Sequence, residues 1–228
     1  MAEGWSVQVT HHGLERQPVL IIDRFAPAPE RFVDDACFLR FEAVSPHYPG
    51  LRAPVPPALL RDLLTALAGP IRAVFGVAAF ETIDAYYSLV TTIPARLSLI
   101  QRLPHFDGVE PERLALLHYL SRDTRGGTAF YRHRTTGYET VDAARFDRYR
   151  ATLDTDVKRE GVPEPGYIGG DTPIFEQIAR YEAVYNRAIV YRGNTLHCAA
   201  IPPDMLLSEH PASGRLTVNT FLKATPRG

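Results

Sequence analysis

Cysteine, methionine and tryptophan are scarce in this 228-residue chain, at two, two and one. The pair Cys37 and Cys198 does not make a disulfide framework, so the fold must rest on its apolar core. Both read as ordinary reduced thiols; the alternative for Cys198 is a sensing or ligand role. Cys198 directly follows His197, so on a strand its side chain points to the opposite face. Long apolar runs are also missing: none approaches the roughly 20 residues of a membrane span. The segment Met1-Ala2-Glu3-Gly4-Trp5 lacks the basic and apolar regions of a signal peptide. A soluble, cytoplasmic protein is therefore expected, with no membrane partner. Neither charge sign dominates: 25 Lys and Arg against 26 Asp and Glu leave a net charge of -1. No broad basic surface for nucleic acid is implied. Short runs such as Arg132-His133-Arg134 read as solvated faces.

What is present is apolar and turn-rich. Hydrophobic residues make up 45% of the chain, which suits a single domain over residues 1–228 with a substantial core. The 19 prolines are spread along it and favour short elements. Val19 to Ile22 reads as a strand. Pro29-Glu30 through Cys37 reads as a short helix, and His47 to Pro57, with four prolines, as an irregular loop. Leu59, Leu60, Leu63, Leu64 and Leu67 recur at helical spacing and predict a helix over Ala58 to Phe75, broken or kinked at Gly69-Pro70. Strands are expected at Ser88 to Ile93, Arg96 to Leu103, Leu114 to Leu120, Thr128 to Arg132, Arg187 to Arg192 and Leu216 to Leu222. Many short strands between turns indicate a sandwich or barrel. The stretch from about His133 to Tyr185 interrupts the series. It carries a helical stripe of Phe146, Tyr149, Leu153 and Val157 and, near Phe175 to Tyr185, a second helical segment. Such an insertion is either a lid over a site or a packing element covering a sheet edge.

Three residues have the chemistry of a metal site. His105 and Asp107 are two apart at a predicted strand end, so both can reach one ion. His197 follows 92 residues later, at another strand end. Two imidazoles and one carboxylate form the facial triad that suits Fe(II) and leaves three coordination positions open. Arg215 opens a strand in which Arg215, Thr217, Asn219 and Phe221 alternate onto one face. An inward Arg is costly unless a carboxylate pairs with it; the alternative is an exposed Arg at a strand start. Arg102, Gln101, His118, His133 and Asn219 are further polar candidates.

In this order the motifs resemble the prolyl-hydroxylase-like branch of the 2-oxoglutarate and Fe(II)-dependent oxygenases. The likeness covers roughly Arg96 to Phe130 and Arg187 to Leu222, with a weaker echo at Val19 to Phe25. It runs from His105-Phe106-Asp107 through Leu117-His118-Tyr119-Leu120 to Gly126-Gly127-Thr128-Ala129-Phe130. It ends with His197 and Arg215-Leu216-Thr217. The resemblance implies a mainly β fold with flanking helices (α+β), a double-stranded β-helix or jelly roll of the cupin-like barrel type. It implies Fe(II) on His105, Asp107 and His197, with 2-oxoglutarate and O2 as co-substrates. Arg215, Tyr119 and Thr217 would hold the distal carboxylate of 2-oxoglutarate. The implied activity is hydroxylation of an unactivated C–H bond with conversion of 2-oxoglutarate to succinate. An intact Asp107 disfavours halogenation, whose enzymes carry a small residue there. Two features depart from the pattern: the 18-residue step from His197 to Arg215, and the length of the insertion. The primary substrate, a small molecule or peptide, is not legible, nor is the oligomeric state. The rival readings are a cupin-like metalloenzyme that does not use 2-oxoglutarate and a non-catalytic metal-binding domain.

Overall fold

The computed structural model describes residues 4–227. Ten strands and three helices are found among them. In chain order these are β1 (Ser6–His12), β2 (Gln17–Asp23), α1 (Glu30–Cys37), β3 (Gly50–Pro54), α2 (Pro57–Phe75), β4 (Val77–Val90), β5 (Arg113–Tyr119), β6 (Thr128–His133), α3 (Ala143–Glu160), β7 (Phe175–Tyr181), β8 (Ala188–Arg192), β9 (His197–Ala199) and β10 (Arg215–Pro226). Two antiparallel sheets result, a major one ordered β1-β2-β8-β5-β10-β4-β3 and a minor one ordered β7-β6-β9. This is the expected jelly-roll architecture, mainly β with flanking helices.

Alternation along the strands divides the major sheet into two faces. Leu20, Ile22, Leu114, Leu116, Val190, Leu216 and Val218 pack outward with α1 and α2. From α2, Leu60, Leu63, Leu67, Ile71 and Phe75 supply the matching stripe. Each such side chain, fully buried, contributes about 1.5–3 kcal/mol. Val19, Ile21, Leu117, Tyr119, Ile189 and Tyr191 face inward and meet Phe130 of the minor sheet. The functional face is therefore the inner one, between the sheets.

Several expectations are corrected. Arg96 to Leu103 forms no strand but two short 3-10 turns, Pro94–Arg96 and Leu99–Arg102. Pro94 opens the first, and the Ser98–Gln101 capping box closes local hydrogen bonds in the second, so the backbone is satisfied without a sheet partner. Phe175 to Tyr185 is not helical: Phe175 to Tyr181 is β7, paired along β6. A seven-residue segment fits either period, and the open edge of β6 decides. The irregular loop at His47 to Pro57 contains β3, which lies at a sheet edge, where proline is tolerated. The expected strand from Ser88 to Ile93 is the end of the longer β4, which stops at Val90. Helix α2 reaches Phe75 as expected, without a break at Gly69-Pro70, and stops at Gly76, whose φ of 68° is left-handed.

Candidate active site

His105 and His197 are joined through their backbones. Each N–H donates to the other's carbonyl at 2.8 Å, an isolated antiparallel bridge. The sequence reading placed both at the ends of longer strands. Instead His105 follows the second 3-10 turn, and His197 opens the three-residue β9. The Asp107 N–H donates to the carbonyl of Gly193, just past β8, at 2.7 Å. Alternation still operates across the triplet: Phe106 packs against Phe146 and Tyr149 of α3 while its neighbours point the other way. Nε2 of His105 lies 3.8 Å from Oδ1 of Asp107, and Nε2 of His197 lies 3.6 Å from Oδ2. One ligand atom from each of the three falls within 4.8 Å of the others.

The electrostatics of this cluster fit a cation. Oδ2 of Asp107 is buried and makes no hydrogen bond. Burial pushes the Asp107 carboxyl above its ordinary range, although His105, Arg52 and Arg113 pull the other way. Burial also lowers both imidazoles, so they are neutral near pH 7. His105 keeps half its side chain accessible and lines the cleft. Nδ1 of His197 lies 2.8 Å from the Thr195 carbonyl, which can only accept, so Nδ1 carries the proton and Nε2 is bare. The rings of Tyr191 and Phe130 hold that imidazole, with centroids 4.8 and 6.1 Å away. An unpartnered buried carboxylate beside two neutral imidazoles is costly unless a cation joins them.

All three residues line a cavity of about 480 Å³. Arg215 lines it too and is 3% exposed. Its Nε and Nη2 donate to the carbonyls of Gly126 and Gly127 at 2.5 and 3.0 Å. That leaves Nη1 and one Nη2 hydrogen for a ligand. The Gly-Gly pair exists because two chains approach there. A Cβ on Gly127 would lie 1.8 Å from the Tyr181 carbonyl, and one on Gly126 would lie 2.9 Å from Cδ of Arg215.

The Tyr119 hydroxyl is 2.6 Å from Oγ1 of Thr128, itself a cavity residue. Thr217 pairs across the sheet with Tyr119, and its hydroxyl donates to Oδ1 of Asn219 at 2.7 Å. Tyr119 and Thr217 thus share the inner face with Arg215 but stand behind the cavity wall. Of the other candidates, Gln101 and Asn219 line the cavity. Arg102 is tied to the carbonyls of Leu97 and Pro163. His118 is buried on the outer side between Phe25 and Phe32, and His133 pairs with Asp156 of α3 at 3.1 Å. Cys198 packs with Tyr131 and also lines the cavity, and burial pushes its thiol up to about 12.

Sequence reading missed Tyr48, Arg52, Thr128 and Tyr191, which also line the cavity. Strand alternation alone could have found Tyr191, since its neighbour Val190 faces outward. Arg52 was hidden by the prolines around β3.

The family model for DUF6445, a family of unknown function, matches residues 3–222. The chain belongs to that family. No curated protein matches the sequence of this DUF6445 chain. Its fold is shared with HygX from Streptomyces hygroscopicus, solved with nickel, 2-oxoglutarate and hygromycin B bound. There the TM-score is 0.51 and the identity 13%, over 92% of this chain and 84% of that one. SnoN, a non-haem alpha-ketoglutarate-dependent epimerase from nogalamycin biosynthesis, gives a TM-score of 0.52 at 11% identity. That match spans 91% of this chain and 78% of the other. At such identities the common property is the fold. No helix among the described residues is long and apolar enough to cross a membrane.

Proposed function

We propose that this DUF6445 protein is an Fe(II)- and 2-oxoglutarate-dependent dioxygenase that hydroxylates an unactivated C–H bond of a small molecule or peptide. One observation carries the reading: two neutral imidazoles, an unpartnered carboxylate and a buried arginine fork open onto one cavity. The motif order of the prolyl-hydroxylase-like branch and the ligands bound to HygX support it.

His105, Asp107 and His197 are the proposed ligands. With Fe(II), 2-oxoglutarate and O2 bound, the group would supply oxidative decarboxylation to succinate and CO2 with transfer of one oxygen atom to substrate. The chain's own residues bind and orient. Arg215 would pair its free N–H groups with the distal carboxylate of 2-oxoglutarate. Tyr119 would act through Thr128, and Thr217 through Asn219, as positioning groups on the same face. Thr195 fixes the tautomer that presents Nε2 of His197. The insertion would serve as a lid: its Tyr149, Leu153, Tyr167 and Ile168 line the cavity and would exclude water.

The test is conversion of isotope-labelled 2-oxoglutarate to labelled succinate by the Fe(II)-loaded protein. Iron-dependent succinate formation is expected. Stoichiometric iron binding without 2-oxoglutarate binding would instead place the protein with metalloenzymes that use the same barrel differently.

A further inference from the structure

Arg52 is a second cation on the cavity wall, and no carboxylate among the described residues forms an ion pair with it. Its place follows from register. Arg52 of β3 pairs with Ser88 of β4, Ser88 with Thr217 of β10, and Thr217 with Tyr119 of β5. Residues in one such row share a sheet face, so Arg52 stands on the inner face with Arg215, at the edge strand of the sheet. Two rings hold the guanidinium: its Cζ sits 4.1 Å from the centre of the Tyr48 ring and 5.5 Å from that of Tyr86. Its Nε is buried without a hydrogen-bond partner, and so is the Tyr48 hydroxyl. Glu42, its backbone bridge partner, turns its carboxylate to Arg40 at 3.1 Å instead.

The charge count then leaves a remainder. Among the described residues lining the cavity, Asp107 is the only carboxylate, and Arg52 and Arg215 are the only arginines. A divalent ion, Asp107, dianionic 2-oxoglutarate and Arg215 sum to zero. Arg52 remains, a positive charge with a buried, unpartnered Nε and no ion-pair partner among the described residues. Phe106, Tyr149, Leu153 and Ile168 supply an apolar and aromatic part of the lining, and Tyr167 packs in the same cluster as Tyr48.

We propose that Arg52, with the Tyr48 hydroxyl beside it, is the recognition site for a carboxylate on the primary substrate, and that this substrate is an apolar or aromatic carboxylic acid. The inference rests on the reading of the cavity as a 2-oxoglutarate site. A monoanion balances the remaining charge; a phosphate dianion would leave an excess. The aromatic cradle pre-organises the planar fork for two parallel hydrogen bonds to one carboxylate.

The test uses full-length protein loaded with Mn(II), which does not turn over, and saturated with 2-oxoglutarate. Calorimetry measures binding of 4-phenylbutanoate and N-acetyl-L-phenylalanine against their primary amides, with phenyl phosphate as the alternative oxyanion. The acids should bind at least tenfold more tightly than the amides. Arg52→Met, which keeps the stem over Tyr48, should abolish that preference, and Arg52→Lys should restore part of it. The affinity for 2-oxoglutarate, measured without probe, should stay within twofold in both variants. Equal binding of acids and amides, a preference for phenyl phosphate, or loss of 2-oxoglutarate affinity in Arg52→Met would each overturn the assignment. If 2-oxoglutarate itself fails to bind the Mn(II)-loaded wild type, the underlying reading fails instead, and that result is separate from all the others.

Discussion

Asp107 is a carboxylate with one oxygen buried and unpartnered. Removing a ligand should therefore cost metal affinity more than stability. His197→Ala and Asp107→Ala are expected to lose Fe(II) binding by at least 100-fold, read by equilibrium dialysis, with the circular-dichroism spectrum kept. Retention of wild-type iron affinity in His197→Ala would sink the triad. Arg215 has a different role. Losing one member of a buried charge pair costs roughly 2–5 kcal/mol, and about 1.4 kcal/mol is tenfold. Arg215→Ala should thus weaken 2-oxoglutarate binding about 30-fold or more while Fe(II) still binds. Tyr119→Phe removes a hydroxyl that reaches only Thr128 and should weaken it less, by about 0.5–1.5 kcal/mol. Calorimetry on the metal-loaded protein checks both.

At the scale of elements, the segment between β6 and β7 packs into a core of its own, lines the cavity and is the proposed lid. Its ends are paired β-structure, and α3 begins at the Asp142 cap, whose carboxylate accepts the Arg145 N–H at 2.9 Å. The inner stripe of α3 packs on Phe106, between two proposed ligands. As the proposed lid, it would meet the substrate and not the strand residues proposed to anchor 2-oxoglutarate. Tyr167→Ala is expected to reduce substrate-stimulated succinate formation at least tenfold and leave 2-oxoglutarate affinity within threefold. An equal loss of both would assign α3 and its following loop to scaffold alone. The substitution removes a hydroxyl that donates to the Thr92 carbonyl at 2.7 Å, so Tyr167→Phe separates that bond from ring packing.

For the whole molecule, buried histidines set the acid limit. Burial lowers His12 and His118 from 6.5 to about 4, and lowers His133 against the pull of Asp156. The unfolded chain therefore binds protons that the folded one refuses. Stability is complete above about pH 6.5 and falls as the pH drops from there towards about 4. His118 alone, fully buried, would contribute on the order of 3 kcal/mol to that loss. His118→Gln, which can still donate to Asn186, should make the acid limb of a denaturation-midpoint profile shallower. An unchanged limb would show that other groups govern it.

Much of this was legible from residues. Short apolar runs between turns marked β2, β5, β6, β8 and β10, because strands packed on both faces are apolar along most of their length. The 3.6-residue stripe marked α2 and α3 for the same reason of burial. His105, Asp107, His197 and Arg215 stood out because few arrangements of those residue types are compatible with a folded interior unless a ligand joins them. The tertiary structure alone decided the rest. It made Arg96 to Leu103 turn, because local caps satisfied its backbone, and made Phe175 to Tyr181 a strand, because β6 offered an edge. It also brought Arg52 from a proline-rich segment onto the face that carries Arg215. Register across four strands sets that placement, and register depends on long-range pairing that no local pattern encodes.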